Sequence, residues 1–295
     1  MNLDKLTYCG NRENTRSLEG DPRYVFAQAN ICDEKAVDPL MSKADAVVHF
    51  AAETHVDRSI DNAEDFLMTN VFGSRVLIEA ARRHGIKKFI HVSTDEVYGS
   101  LATGSAAEGD PLEPSSPYSA SKASSDLLVR SYWKTYGQPV IITRCTNNYG
   151  PNQFPEKVIP LFVTHLLEGK SVPLYGTGQN CRDWIYVEDH CAALELLLDR
   201  GENGEIYNIG AGNEINNLEL TRMILQLMGA GENSIRYVED RLGHDFRYSV
   251  NTDKINRLGF RPSCNWEAGL RKTIEWYQLH PEWWKPLKKD KFTVK

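Results

Sequence analysis

Tyr118 and Lys122 stand four residues apart in a stretch, 117–136, that its pattern and its start at Pro117 predict to be a helix. Positions i and i+4 share a helix face, so both side chains can address one ligand. An ammonium beside a phenol favours the phenolate, which suits the tyrosine to general-base chemistry. With thirteen tyrosines in the chain, such a spacing also arises by chance, and the pair is then ordinary helix surface. A second group, Thr94-Asp95-Glu96, follows a short apolar run at 88–93. Adjacent acids at a strand end often cap the next helix or face water. Two carboxyls in different surroundings can instead divide acid and base work, and a threonine hydroxyl can bond a sugar hydroxyl.

These residues need elements to hold them. Residues 45–52 and 88–93 read as buried strands, and 139–145 as a third. Between them, 62–83 and 117–136 read as long helices. Strand–helix alternation at this spacing predicts an α/β fold with a parallel sheet and right-handed crossovers. Ligands of such sheets gather at the carboxyl ends of the strands. Residues 51–54, 94–96 and 146–148 fall there. After Gly150-Pro151 the texture changes to longer loops punctuated by Gly and Pro. The expected division is a first domain at 1–150, with the chain returning near 180–208, and a smaller region from 151–179 and 209–295. Helices are expected at 217–228 and 265–279, and a short one at 252–258 stopped by Gly259.

Composition bounds the class. The chain has 295 residues, 41% hydrophobic and 25% charged, which excludes disorder, collagen and coiled coil as the main architecture. A net charge of −6 argues against a general nucleic-acid or anionic-membrane surface. No apolar run reaches bilayer length, and residues 1–7 are polar, so a cytoplasmic protein is expected. Six scattered cysteines form no CxxC pair and no zinc-like spacing, so free thiols and no metal are expected.

STDEVYG at 93–99 together with YSASK at 118–122 resembles the extended short-chain dehydrogenase/reductase superfamily and, more narrowly, the dTDP-glucose 4,6-dehydratase family. Further similar segments are LDKLTY at 3–8, AAETHVDRS at 51–59, NNYGP at 147–151, FPEKVIP at 154–160, RDWIYVEDH at 182–190, YNIG at 207–210 and DRLGHDFRY at 240–248. The resemblance spans essentially the whole chain. It implies a Rossmann-like doubly wound sheet, NAD as cofactor, dTDP-glucose as substrate and a homodimer built on the two long helices. Tyr118 would take the C4 hydroxyl proton, Lys122 would lower the tyrosine pKa, and Thr94 would bind the C4 oxygen. Glu96 would abstract the C5 proton, and Asp95 would protonate the departing C6 hydroxyl. Asp4, Lys5, Leu6, Thr7, Asn30, Ile31, Phe50, Ala51, Ala52, Glu53, Thr54, Thr69 and Asn148 would line the cofactor, with Tyr118 and Lys122. Thr54, Thr94, Asn147, Lys157, Val158, Pro173, Leu174, Tyr175, Arg182, Asn217, His244, Asp245, Arg247 and Tyr248 would bind the nucleotide sugar. Arg182 and Arg247 would take the diphosphate, since guanidinium matches phosphate geometry. Asn30 and Phe246 depart from the family pattern, which has Asp and Arg there.

The family pattern opens with a strand and a glycine-rich turn that cradles the cofactor pyrophosphate. No G-x-x-G-x-x-G run occurs in this sequence. The first strand and its turn are therefore expected to be missing, as in a truncated version of an active enzyme. Two other readings stand beside the dehydratase: a nucleotide-sugar epimerase or decarboxylase of the same superfamily, and a non-catalytic nucleotide-sugar binder. The nucleotide itself (dTDP, UDP or GDP) is not fixed by these residues.

Overall fold

The computed structural model describes residues 1–288. Two strands open the chain, β1 (Asn2–Asp4) and β2 (Phe26–Gln28), parallel to each other with Leu3 opposite Ala27. The main sheet runs β3 (Ala46–His49), β4 (Lys88–Thr94), β5 (Val140–Cys145) and then Ile206–Ile209, all parallel. Side chains alternate across it, as strand geometry requires. Phe89, Val140 and Ile142 pack with Val76, Ile78, Ala80, Val129 and Tyr132 of the helices on one face. Ile90 and Ile141 pack with Ala193, Leu194 and Leu197 of the helix Val187–Arg200 on the other. Helices on both faces of a parallel sheet make this a Rossmann-like, doubly wound α/β fold.

The small sheet β1–β2 shares no ladder with the main sheet among the described residues. Among the described residues, one edge of β1 and one edge of β3 have no strand partner, and both flank a groove of about 420 Å3. Leu3, Val37, Met41, Val47 and Leu77 line its apolar part.

The expected long helix 62–83 is broken. Val56–Asp61 forms a short helix, Glu64–Phe66 a helical turn, Leu67–Gly73 a wide stretch of π-helix, and Ser74–Arg83 a regular helix. Such bulges relocate side chains toward functional sites. The expected helix at 117–136 forms as Pro117–Tyr136, opened by a capping box between Ser116 and Ser119 and closed by left-handed Gly137 at φ 67°. A cap of this kind is worth about 1 kcal/mol. It fixes the helix start one residue from Tyr118.

Beyond β5 the expected return to the sheet near 180–208 is made by Ile206–Ile209 alone. Cys181–Tyr186 pairs instead with Asn147–Tyr149 and Glu214–Asn216. This second layer has its own aromatic core, with Tyr149 and Trp266 at 4.9 Å between centroids and Trp184, Tyr186 and Tyr277 around them. Helices Asn217–Met228 and Trp266–Leu279 cover it.

Candidate active site

Thr94 ends β4, and the backbone turns there into a single 3-10 turn, Asp95–Tyr98. The Thr94 hydroxyl accepts from the Glu96 amide at 3.3 Å and donates to Asp95 Oδ1 at 3.2 Å. The threonine therefore sets the orientation of both acids. Asp95 is 2% exposed, and its Oδ2 has no hydrogen-bond partner among the described residues. Burial, and then the charge of Glu96, hold Asp95 well above the usual carboxylate range. Glu96 is also raised by burial, but Arg241, Arg182 and Lys157 oppose that rise. The two carboxyls thus sit in different fields: burial and the neighbouring Glu96 both favour the neutral form of Asp95, while three cations favour the charged form of Glu96.

Tyr118 lies in the first turn of the helix Pro117–Tyr136, its ring against Phe66 at 6.3 Å. The expected lowering of its pKa is not what this structure shows. Burial and the charge of Glu96 push the phenol well above its ordinary value. Lys122 is buried one turn further on, and its ammonium donates to the Val92 carbonyl at 2.7 Å.

A cavity of about 710 Å3 opens beside Glu96. Thr54, Asn147, Lys157, Val158, Pro173, Leu174, Tyr175, Arg182, Asn217 and His244 line it, as the resemblance implied. Four of the implied residues do not: Thr94, buried at the end of β4, and Asp245, Arg247 and Tyr248. Arg247 is forked onto Glu214 at 2.7 and 2.9 Å, outside the cavity lining. Tyr248 lies beneath Arg182, ring to guanidinium at 4.3 Å, and donates to Asp245 Oδ2 at 2.6 Å. Asp245 in turn accepts from Ser115 and, through its backbone carbonyl, from Arg182 at 3.0 Å. These residues support the cavity rather than line it.

The groove between β1 and β3 is lined by Asp4, Lys5, Thr7, Asn30, Ile31, Phe50, Ala51, Ala52, Glu53 and Thr69. Leu6 is not in its lining: it turns at φ 55° with its amide on Asp4 Oδ1. Asn148 is not in the lining either: its Oδ1 accepts from His190 Nδ1 at 2.9 Å. Asn30 accepts from the Cys32 amide at 3.0 Å, so the departure from Asp keeps a local turn.

Sequence reasoning missed four site residues. Arg58 and Arg241 line the cavity, and both lie inside the segments quoted for the resemblance. Glu156 accepts from the Tyr8 hydroxyl at 2.7 Å and lies 3.8 Å from Arg58 and from His55. Asn70, in the π-helix, binds both backbone groups of Glu53 and donates to Ser121 at 2.8 Å, so it ties the groove wall to the Tyr118 helix. The π-bulge that aims Asn70 has no sequence signal of its own.

A Tyr–Lys pair and a Thr-Asp-Glu turn at the carboxyl edge of a doubly wound sheet define an extended short-chain dehydrogenase/reductase. The family model for GDP-mannose 4,6 dehydratase matches residues 1–273. A dTDP-glucose 4,6-dehydratase of Actinoplanes is 53% identical over 283 residues, 96% of this chain and 88% of the relative. A crystal structure of the Streptomyces venezuelae dTDP-glucose 4,6-dehydratase with NAD bound superposes with a TM-score of 0.96 at 52% identity, over 97% of this chain and 89% of that one. A UDP-glucose 4-epimerase of Thermotoga maritima reaches 0.88 at 29% identity, covering 95% and 90%. The chain belongs to the dTDP-glucose 4,6-dehydratase family.

Proposed function

We propose that this chain dehydrates dTDP-glucose to dTDP-4-keto-6-deoxyglucose with NAD as a recycled cofactor. The observation that carries the reading is the Asp95–Glu96 pair, Glu96 at the cavity wall among cations and Asp95 buried beside it with its pKa pushed up by burial and by Glu96. A simple 4-epimerase has no elimination step for such a pair to serve.

The groove suits the adenosine end of NAD, and the Tyr118–Lys122 helix face its nicotinamide end. Asp4 and Asn30 would meet the adenosine, and Tyr118 and Lys122 the nicotinamide ribose. Bound NAD would supply the acceptor, and later the donor, of one hydride. Thr94 would hold the C4 oxygen while Tyr118 receives its proton as phenolate, a form that Lys122 and the bound cofactor's positive ring would have to favour against the rise that burial and Glu96 impose on the phenol. The resulting keto group acidifies C5–H, and Glu96 removes that proton. Asp95 gives its proton to the C6 hydroxyl, which leaves as water. Glu96 returns its proton to C5 as hydride reaches C6. The proton left on Tyr118 balances the one that Asp95 must recover. Arg58, Lys157, Arg182 and Arg241 would neutralise the diphosphate.

We further infer a homodimer. Leu67, Met68 and Phe72 of the π-helix and Leu127 of the Tyr118 helix are exposed apolar side chains on neighbouring elements. An isologous contact would bury them. We also place the protein in the cytoplasm: no helix among the described residues is long and apolar enough to cross a membrane, and the cysteines are free.

The test of function is incubation of the chain with NAD and dTDP-, UDP- or GDP-glucose, followed by NMR of the sugar. The dTDP-4-keto-6-deoxy product is expected. A galacto epimer would favour the epimerase reading, and binding without turnover the non-catalytic one.

A further inference from the structure

The stripe that carries Tyr118 and Lys122 continues one turn on to Asp126, which is 1% exposed. Its Oδ2 accepts from Arg144 Nε on β5 at 2.9 Å, and the two side chains are 1% and 4% exposed. Arg144 Nη1 donates to the Tyr98 hydroxyl at 2.8 Å, and Tyr98 donates to Asn208 Oδ1 at 2.8 Å. Tyr98 closes the turn that carries Asp95 and Glu96. A continuous set of contacts therefore runs from the Tyr118–Lys122 helix, through β5, to the acidic turn.

A buried ion pair is weak evidence of stability, because desolvation offsets most of the attraction. Its position is the informative part. We propose that Asp126, held by Arg144, is a positioning residue that balances the Lys122 ammonium and, through Arg144 and Tyr98, fixes the acidic turn against the Tyr118 helix. Tyr118 and Asp126 face Lys122 from its own helix. Among the described residues, His49 on β3, His91 on β4 and Cys145 on β5 also interact with its charge, and Arg144 on β5 reaches it through Asp126. The imidazoles are neutral, with His49 pushed down to about 3 by burial and then by the Lys122 charge. The Cys145 thiol is pushed up to about 12 by burial, so it too is uncharged at neutral pH. Asp126 stands one turn from Lys122 on the same helix face, and its charge, which Arg144 favours against the rise that burial imposes on the carboxyl, opposes the fall in pKa that burial imposes on the amine.

The proposal rests on the dehydratase reading only for its kinetic arm. Asp126→Asn should move the alkaline limb of kcat to lower pH by about one unit and lower kcat about tenfold at pH 8. The 13Cε resonance of Lys122, assigned by its loss in Lys122→Met, should titrate about one unit lower in the NAD-loaded variant, whether or not the sugar turns over. Asp126→Glu should restore both values. The double change Asp126→Leu with Arg144→Met removes the unpaired cation, so it should regain wild-type melting while keeping the shifted limb and resonance. A wild-type titration in Asp126→Asn, or in the double variant if the single one does not fold, overturns the proposal and leaves Asp126–Arg144 as scaffold only.

Discussion

Arg247 places its guanidinium on both carboxylate oxygens of Glu214, at 2.7 and 2.9 Å, and so has no free fork to offer a diphosphate. Its Nη1 also donates to the Gly104 carbonyl at 2.8 Å. Arg241, six residues earlier, lines the cavity, and its closest acidic group is Asp57 at 3.6 Å.

The two arginines should therefore separate kinetically. Arg241→Ala is expected to raise KM for dTDP-glucose at least tenfold, about the loss of one charge-assisted contact. Arg247→Ala should change KM less than threefold and lower stability by about 1 kcal/mol, as for other partly exposed pairs. Steady-state kinetics and thermal melts on both variants check this. A larger KM effect at Arg247 would place it on the substrate.

The acids act only after the keto group exists. Asp95→Asn and Glu96→Gln should keep C4 oxidation and cut product formation by roughly 10²–10⁴-fold, the usual worth of a positioned acid or base. Stopped-flow absorbance should show NADH that accumulates rather than returning its hydride. Normal dehydration by the double variant would remove both residues from the mechanism.

Asp95 also links function to stability. Its pKa is raised in the folded protein, so its carboxyl favours folding below the unfolded carboxylate range and loses that contribution as pH rises through the folded value. At pH 8 the wild-type chain must fold with a buried acid that water would ionise. Asp95→Asn removes that cost, so it should melt higher than wild type at pH 8 and close to it at pH 4. Calorimetric scans at both values test the sign. A variant that melts lower at pH 8 would show that hydrogen bonding of the carboxyl outweighs its desolvation.

Much of this site was legible because its signals are local. The i, i+4 spacing put Tyr118 and Lys122 on one face, and the strand end put Thr94, Asp95 and Glu96 at the ligand edge. Pro117 marked the helix start to the residue. What the sequence hid depends on tertiary placement. Arg182, Arg241 and Arg247 all lie in similar segments, and only the fold shows that Glu214 captures one of them. Helix periodicity ran smoothly through 62–83 and gave no hint of the π-helix at Leu67–Gly73. The phenol of Tyr118 rises rather than falls because burial and Glu96 act on it together, and neither can be read from a four-residue spacing.

Assembly makes a separate claim. Phe72 and Leu127 are 39% and 59% exposed on neighbouring helical elements. Phe72→Asp or Leu127→Asp should convert a dimer to a monomer at micromolar concentration, as read by light scattering. An unchanged mass in both variants would move the interface elsewhere.

The groove between β1 and β3 supports the last prediction. Among the described residues, one edge of β1 and one edge of β3 flank it without ladder partners, and its lining joins apolar residues such as Val37 and Met41 to the residues assigned to the adenosine. Unpaired edges cost stability and invite pairing, and no glycine-rich turn in the sequence offers backbone N–H groups to a pyrophosphate. Fusing an apolar strand, a G-x-x-G-x-x-G turn and a short helix ahead of Met1 should place that strand between β1 and β3, where it completes both ladders. Its turn would then add donors for two phosphate charges. NAD titration by calorimetry should show at least tenfold tighter binding for the fusion, together with a higher melting temperature. Equal affinity and equal melting would mean that the groove takes NAD as it stands and that β1 and β3 gain nothing from a strand between them.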